Sequence, residues 1–243
     1  MTSPRVVHTV ARRRRSHALA ATKPLAGKTV VIDPGHNGDN YLHPGTINHL
    51  VPAGRGRVKA CDTTGTSTNG GYSEASFNFD VALRLQSLLL SQGARVILTR
   101  HSNTGVGPCV NVRAAIGNTA HAGAVISIHA DGEVPGDHGF SVIYAPDAGS
   151  TAPVYAASLR LAHDVDHRLG ASAVMPPANY VGPGGYNVRS DLAGLNLSTR
   201  PKVFVELGNM RNSTDAGIQV NARMRQRLAA ALEAGLAQYL GGP

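Results

Sequence analysis

Three short runs, "VVI" at 30–32, "VISI" at 125–128 and "VFV" at 203–205, are almost wholly apolar. A strand with one face in water alternates apolar and polar residues. Runs with so little alternation fit strands buried on both faces, as in a parallel sheet covered by helices. The segments between them carry a helical period. "SEASFNFDVALRLQSLLLSQG" gathers Phe77, Val81, Leu85, Leu88 and Leu89 near one side, with Ser73 as N-cap and Gly93 as the stop. "VNVRAAIGNTAH" and "PVYAASLRLAHDVDHRLG" read as helices, and "ARVILTR" and "HGFSVIYAP" as strands. "STDAGIQVNARMRQRLAAALEAGLAQYL" reads as one closing helix, capped near Ser213 or Thr214. Strands alternating with helices of this length predict a single α/β domain, a mostly parallel twisted sheet with helices on both faces.

The chain has 243 residues, enough for one sizeable core. No run approaches the roughly 18–20 apolar residues that a membrane-spanning helix needs. The formal charge of +8 invites a nucleic-acid reading, but its distribution argues against one. Residues 1–28 hold seven basic side chains (Arg5, Arg12 to Arg15, Lys23, Lys28) and no acid, leaving 16 basic against 15 acidic groups elsewhere. Basicity therefore belongs to a tail, residues 1–27, expected to be disordered. The domain is expected to fill 28–243. The tail lacks the interleaved aromatics of a stacking surface, and the chain has no Trp. "RRRRSHALAA" has the charged start and small-residue end of an export signal, without the apolar stretch of about 7–15 residues between them. Cys61 and Cys109 lie in loop sequence and fit neither a zinc knuckle nor a redox CxxC pair. An even count in loops predicts a disulfide, and with it export to an oxidising compartment.

Functional groups of open α/β sheets collect beyond the carboxyl ends of the strands. His36 follows the first strand, His129 follows "VISI" and Glu206 follows "VFV", while Glu74 opens the first long helix. Two His and a carboxylate form a zinc set with one position open for water, and a further carboxylate can act as general base. Singly, each has a plainer reading: a His on a turn, or a Glu complementing a helix dipole. Glu206 is harder to dismiss, since burying a carboxylate after an apolar strand is costly. Asp131, Asp137 and His138 make a second, weaker cluster in a Gly/Pro turn. His163 and His167 sit four apart on a helix that lacks the Glu of a zincin. No Gly-x-Ser-x-Gly elbow, phosphate loop or Gly-x-Gly-x-x-Gly fingerprint follows a strand. One long irregular segment, 37–72, interrupts the alternation; loops of that length in compact domains usually serve function.

"VVIDPGHNG", "YSEASFNFDVALRLQSLLLSQGARVILTR", "VRAAIGNTAHAGAVISIHAD", "GFSVIYA" and "VFVELGNMRNSTD" occur in this order. Together they resemble the zinc-dependent N-acetylmuramoyl-L-alanine amidases of the Amidase_3 type, from about Lys28 to Leu240. The mycobacterial cell-wall amidases built from this catalytic domain alone are especially similar. The resemblance implies Zn2+ held by His36, Glu74 and His129, with Glu206 as the catalytic carboxylate. It implies hydrolysis of the amide between N-acetylmuramic acid and L-alanine in peptidoglycan or muropeptides, by a monomer secreted to the periplasm or cell wall. Asp33 would either hold the turn or accept a hydrogen bond from a ligand histidine. The non-enzymatic alternative is a peptidoglycan-binding module of the same fold, which would be expected to have lost a ligand or Glu206. The chain departs from the family pattern at Asp131 (often Asn), at Asn209 (usually aromatic) and in the length of the 37–72 segment.

Overall fold

The run Thr29–Pro34 is β1, an interior strand of a six-stranded sheet in a computed structural model that describes residues 23–241. After it come α1 (Pro44–Ile47) and a hairpin of β2 (Leu50–Gly54) and β3 (Arg57–Ala60). The chain continues through α2 (Glu74–Ser91), β4 (Arg95–Leu98), α3 (Val110–Thr119), β5 (Ala124–Asp131) and β6 (Phe140–Tyr144). It closes with α4 (Ala152–Ser172), β7 (Tyr186–Val188), α5 (Ala193–Asn196), β8 (Lys202–Asn209), α6 (Ser213–Val220) and α7 (Ala222–Gly241). The sheet order is β4-β1-β5-β8-β6-β7. Its first four strands are mutually parallel; β6 runs antiparallel to β8 and parallel to β7. The expected α/β architecture, mostly parallel with both faces covered, is the one observed.

The larger core lies on one face, where α2, α4 and α7 cover Val30, Ile32, Ile126, Ile128, Val203 and Val205. Phe77, Leu85, Leu161, Val165, Leu232 and Leu236 meet them there, all fully buried. Gly235 lets α7 lie against α4: a Cβ there would come 2.7 Å from the Val165 Cα. The opposite face carries Val31 and Val125 beneath α3, and Ile143 and Ala145 beneath α5. Ser73 caps α2 as expected, accepting from the Ser76 amide, and Gly93 at φ 91° ends it.

Four expectations change. The closing helix is two helices: Asn221 leaves helical geometry (φ −85°, ψ 113°), and its side chain accepts from the Arg223 and Met224 amides, starting α7 afresh. The cap of α6 is Asn212, which accepts from Thr214 and Asp215, instead of Ser213 or Thr214. The segment 37–72 is built, with α1 and the β2–β3 hairpin inside it. The basic run Arg12–Arg15 lies outside the described residues. Leu25, assigned to the tail on sequence, is fully buried in the main core, and its amide bonds the Gln92 carbonyl at 3.0 Å.

Candidate metal centre

The chain leaves β1 through Pro34, Gly35 and His36, and two guanidinium groups hold that exit. Arg113 Nη1 donates to the Pro34 carbonyl (2.7 Å) and Nη2 to the His36 carbonyl (3.0 Å); Arg100 Nε also donates to Pro34 (3.0 Å). His36 has φ 58°, a left-handed conformation that costs a residue with a Cβ roughly 1–2 kcal/mol. Gly35 is obligatory, since a Cβ there would fall inside the His129 ring. A glycine and an unusual histidine thus let two imidazoles from neighbouring strands approach, their ring centroids 5.0 Å apart.

Glu74, the first residue of α2, is buried between them. Its Oε1 lies 3.3 Å from His36 Nε2 and 2.9 Å from His129 Nδ1, and the three ligand atoms all fall within 4.8 Å of one another. The carboxylate is fixed by the Thr66 amide on Oε2 (3.0 Å) and by Asn78 Nδ2 on Oε1 (3.2 Å). Burial by itself would lower the His36 pKa. The charge of Glu74 and the bonds to Asp62 and Glu74 overcome it and push the imidazole up to about 10. Burial likewise opposes charge on Glu74, yet the two histidines hold it well below the usual carboxylate range. The cluster therefore favours positive charge at its centre. Two imidazoles and one carboxylate at this spacing fit a zinc ion with an open position.

Glu206 stands opposite His129 in the β5–β8 register. Its Oε2 is buried without a hydrogen-bond partner. Burial, then the charges of Asp131 and Glu74, raise its pKa well above the usual range. A carboxyl that takes a proton readily beside a candidate metal site is suited to general acid–base work. His36, His129 and Glu206 line a pocket of about 200 Å³ that also reaches Lys59 and Ala60 of β3 and Phe204 of β8. The Phe204 ring stacks on His129 with centroids 5.2 Å apart. The hairpin is tied down beside the pocket through Asn196, which donates to the Ala53 carbonyl (3.1 Å) and accepts from Arg55 Nε (3.0 Å).

Four sequence candidates thus come together: His36, Glu74, His129 and Glu206. Asp33 does not join them as a histidine partner. It is buried and lines the same pocket, accepting from Thr99 Oγ1 (2.7 Å), Ser127 Oγ (2.9 Å), Arg113 Nη1 (3.1 Å) and Lys202 Nζ (3.2 Å). Its carboxylate is taken up by those four donors, and one of them, Arg113, also bonds the Pro34 and His36 carbonyls of the turn. Cys61 and Cys109 form a disulfide. His49 lies beside it, but sulfurs joined to each other offer no thiolates to a metal. Asp131 accepts from the Tyr180 hydroxyl (3.0 Å) instead of meeting Asp137 and His138. His163 pairs through Nδ1 with the Tyr186 hydroxyl (2.8 Å). Asn209 is fully buried and donates to the Val134 and Asp137 carbonyls, so it holds that loop and forms no part of the pocket wall.

Sequence reasoning missed Asp62 and Arg113. Asp62 Oδ1 lies 3.1 Å from His36 Nδ1, and Asp62 Oδ2 accepts from Arg113 Nη2 at 3.3 Å. The one available signal was "ACD", an acid next to a cysteine expected to be bridged; nothing local marks Arg113.

A family model described as N-acetylmuramoyl-L-alanine amidase matches residues 30–238. The N-acetylmuramoyl-L-alanine amidase Rv3717 of Mycobacterium tuberculosis is 43% identical over 228 residues, 93% of this chain and 91% of that protein. The crystal structure of the amidase Ami1 from Mycobacterium smegmatis superposes with a TM-score of 0.84 at 42% identity, covering 89% of this chain and 98% of that one. The apo form of Ami1 from Mycobacterium abscessus gives 0.83 at 43% identity, with 89% and 100% covered.

Proposed function

The chain belongs to the N-acetylmuramoyl-L-alanine amidase family, and from that membership we propose that it hydrolyses the amide between the lactyl group of N-acetylmuramic acid and L-alanine, in peptidoglycan or its fragments. The observation that carries the site assignment is the convergence of His36, Glu74 and His129 within 4.8 Å, with Glu206 in register beside His129. In this reading the first three hold Zn2+ and Glu206 is the catalytic carboxylate. Zinc bound there would polarise the scissile carbonyl and acidify water. Glu206 takes the proton of the attacking water. It then delivers that proton to the alanine nitrogen as the C–N bond breaks, leaving a lactyl carboxylate and a free peptide amine. Its raised pKa suits it to hold the proton between the two transfers. Gly35 and the Arg113 clamp keep His36 facing His129, and Phe204 backs the His129 ring. The presence of all four groups weighs against the binding-module alternative.

No helix among the described residues is long and apolar enough to cross a membrane. The loop disulfide and the amidase relatives support action in the wall or periplasm, in wall remodelling or fragment recycling, and the acting form in this reading is a monomer. Residues 28–243 would be the catalytic unit, extended at its start to include Leu25. Digestion of muropeptides by the zinc-loaded protein, its chelated form and Glu206→Gln tests the mechanism. Free stem peptide is expected from the first, with kcat down about 10²–10⁴-fold in Glu206→Gln. Undiminished release by that variant would sink the role given to Glu206.

A further inference from the structure

His36 has two ring nitrogens with different neighbours. Nε2 faces Glu74, while Nδ1 points away from the centre into the 37–72 segment, 3.1 Å from Asp62 Oδ1 and 3.1 Å from the Thr63 carbonyl. Asp62 is buried, and it is itself held on three sides. Oδ1 accepts from the Thr63 amide (2.8 Å), Oδ2 accepts from Arg113 Nη2 (3.3 Å), and the Asp62 amide donates to the Ile47 carbonyl (3.1 Å). Arg113 spans the distance from Asp62 to Asp33, so a buried chain runs Asp33–Arg113–Asp62–His36.

Both ends of the Asp62–Arg113 contact are anchored by one covalent link. Cys61 immediately precedes Asp62, and Cys109 sits at the start of α3, the helix that carries Arg113. The Val110 amide also bonds the Cys61 carbonyl at 2.8 Å. A carboxylate on the outer nitrogen of a metal-binding imidazole fixes its tautomer and makes the inner nitrogen more basic. Here that carboxylate comes from the long segment, and a disulfide keeps it in place.

We propose that Asp62 is a positioning residue for His36: it accepts a hydrogen bond from Nδ1–H so that Nε2 is presented to the metal, and the Cys61–Cys109 link with Arg113 braces it there. The inference rests on the zinc reading of His36, Glu74 and His129. Its test is zinc affinity of the full chain by competition with a chromogenic chelator, for wild type, His36→Ala and Asp62→Ala, with far-UV circular dichroism recorded for each. Asp62→Ala should bind zinc about 10–100-fold more weakly while keeping its fold. Binding within twofold of wild type would overturn the role of Asp62 and leave the metal reading intact. Wild type that takes up no more zinc than His36→Ala would overturn both.

Asp62→Ala leaves Arg113 short of a buried partner, so Asp62→Asn, the same size with a neutral acceptor, is measured beside it if the first variant does not fold. Long-range 1H–15N spectra of the zinc-loaded wild type and of Asp62→Asn should report His36 protonated on Nδ1, with that proton moved upfield in the variant because a carboxylate accepts more strongly than an amide. An Nδ1 proton unmoved by the substitution would give its bond to the Thr63 carbonyl and overturn the proposal.

Discussion

Gly35 and His36 give up backbone freedom that turns normally keep, and they do so at the point where two histidines must meet. Beneath them Asp33 solves a different problem. Burial opposes its charge, but Lys202, Arg113 and the bond from Thr99 hold its pKa far below the usual carboxylate range. A group depressed in the folded state stabilises above its unfolded pKa, near 3.9, and that stabilisation drains away as pH falls below it. Asp33→Asn, which leaves two buried cations short of a counter-charge, should cost about 3–5 kcal/mol at neutral pH. In urea titrations its deficit against wild type should shrink by up to about 1.4 kcal/mol per pH unit below pH 4. A deficit independent of pH would mean that lost packing, not lost charge, dominates. From sequence, Asp33 could be placed at a strand end but not assigned partners, because Arg113 and Lys202 arrive from positions 80 and 169 residues away.

Elements with a clean period were legible. The long apolar stripe and Ser73 cap announce α2, and the apolar runs announce β1, β5 and β8, so the four strand-end and helix-start candidates could be grouped before any coordinates. The hairpin was not, because β2 carries Pro52 and Gly54, residues that argue against a strand unless it lies at an edge. Asn221 hid in the period of the closing helices, since its capping bonds replace the helical ones without altering the apolar spacing. Asp62 was invisible for a related reason: loop carboxylates are common, and only the fold brings this one to His36. The disulfide joins the segment covalently to the start of α3. Replacing both cysteines by serine should lower stability by about 2–4 kcal/mol, measured by denaturant unfolding. A loss under about 0.5 kcal/mol would show that the backbone bonds at Ile47 and Val110 suffice to hold the segment.

Across the whole molecule, the groups proposed to bind and to react differ in how they are mounted. His36 rides on a turn and Glu74 on a helix end, but His129 and Glu206 are rungs of the same hydrogen-bonded ladder. Their backbone separation is the interstrand repeat of a sheet, about 4.8 Å. That repeat is common to every sheet, and at this pair it is regular, the bulge lying beyond it between His129 and Asp131. Heat should therefore act on this protein as on a switch, not as on a worn bearing. Muropeptide hydrolysis, assayed with zinc in excess, should follow ordinary acceleration up to the melting transition and then vanish with the circular dichroism signal. A decline setting in about 10 °C or more below that transition would place the weak point in the turn or the braced segment and leave the ladder exonerated. The spacing that chemistry needs here is a ruler whose last true graduation is this pair, since the register slips between His129 and Asp131 just beyond it.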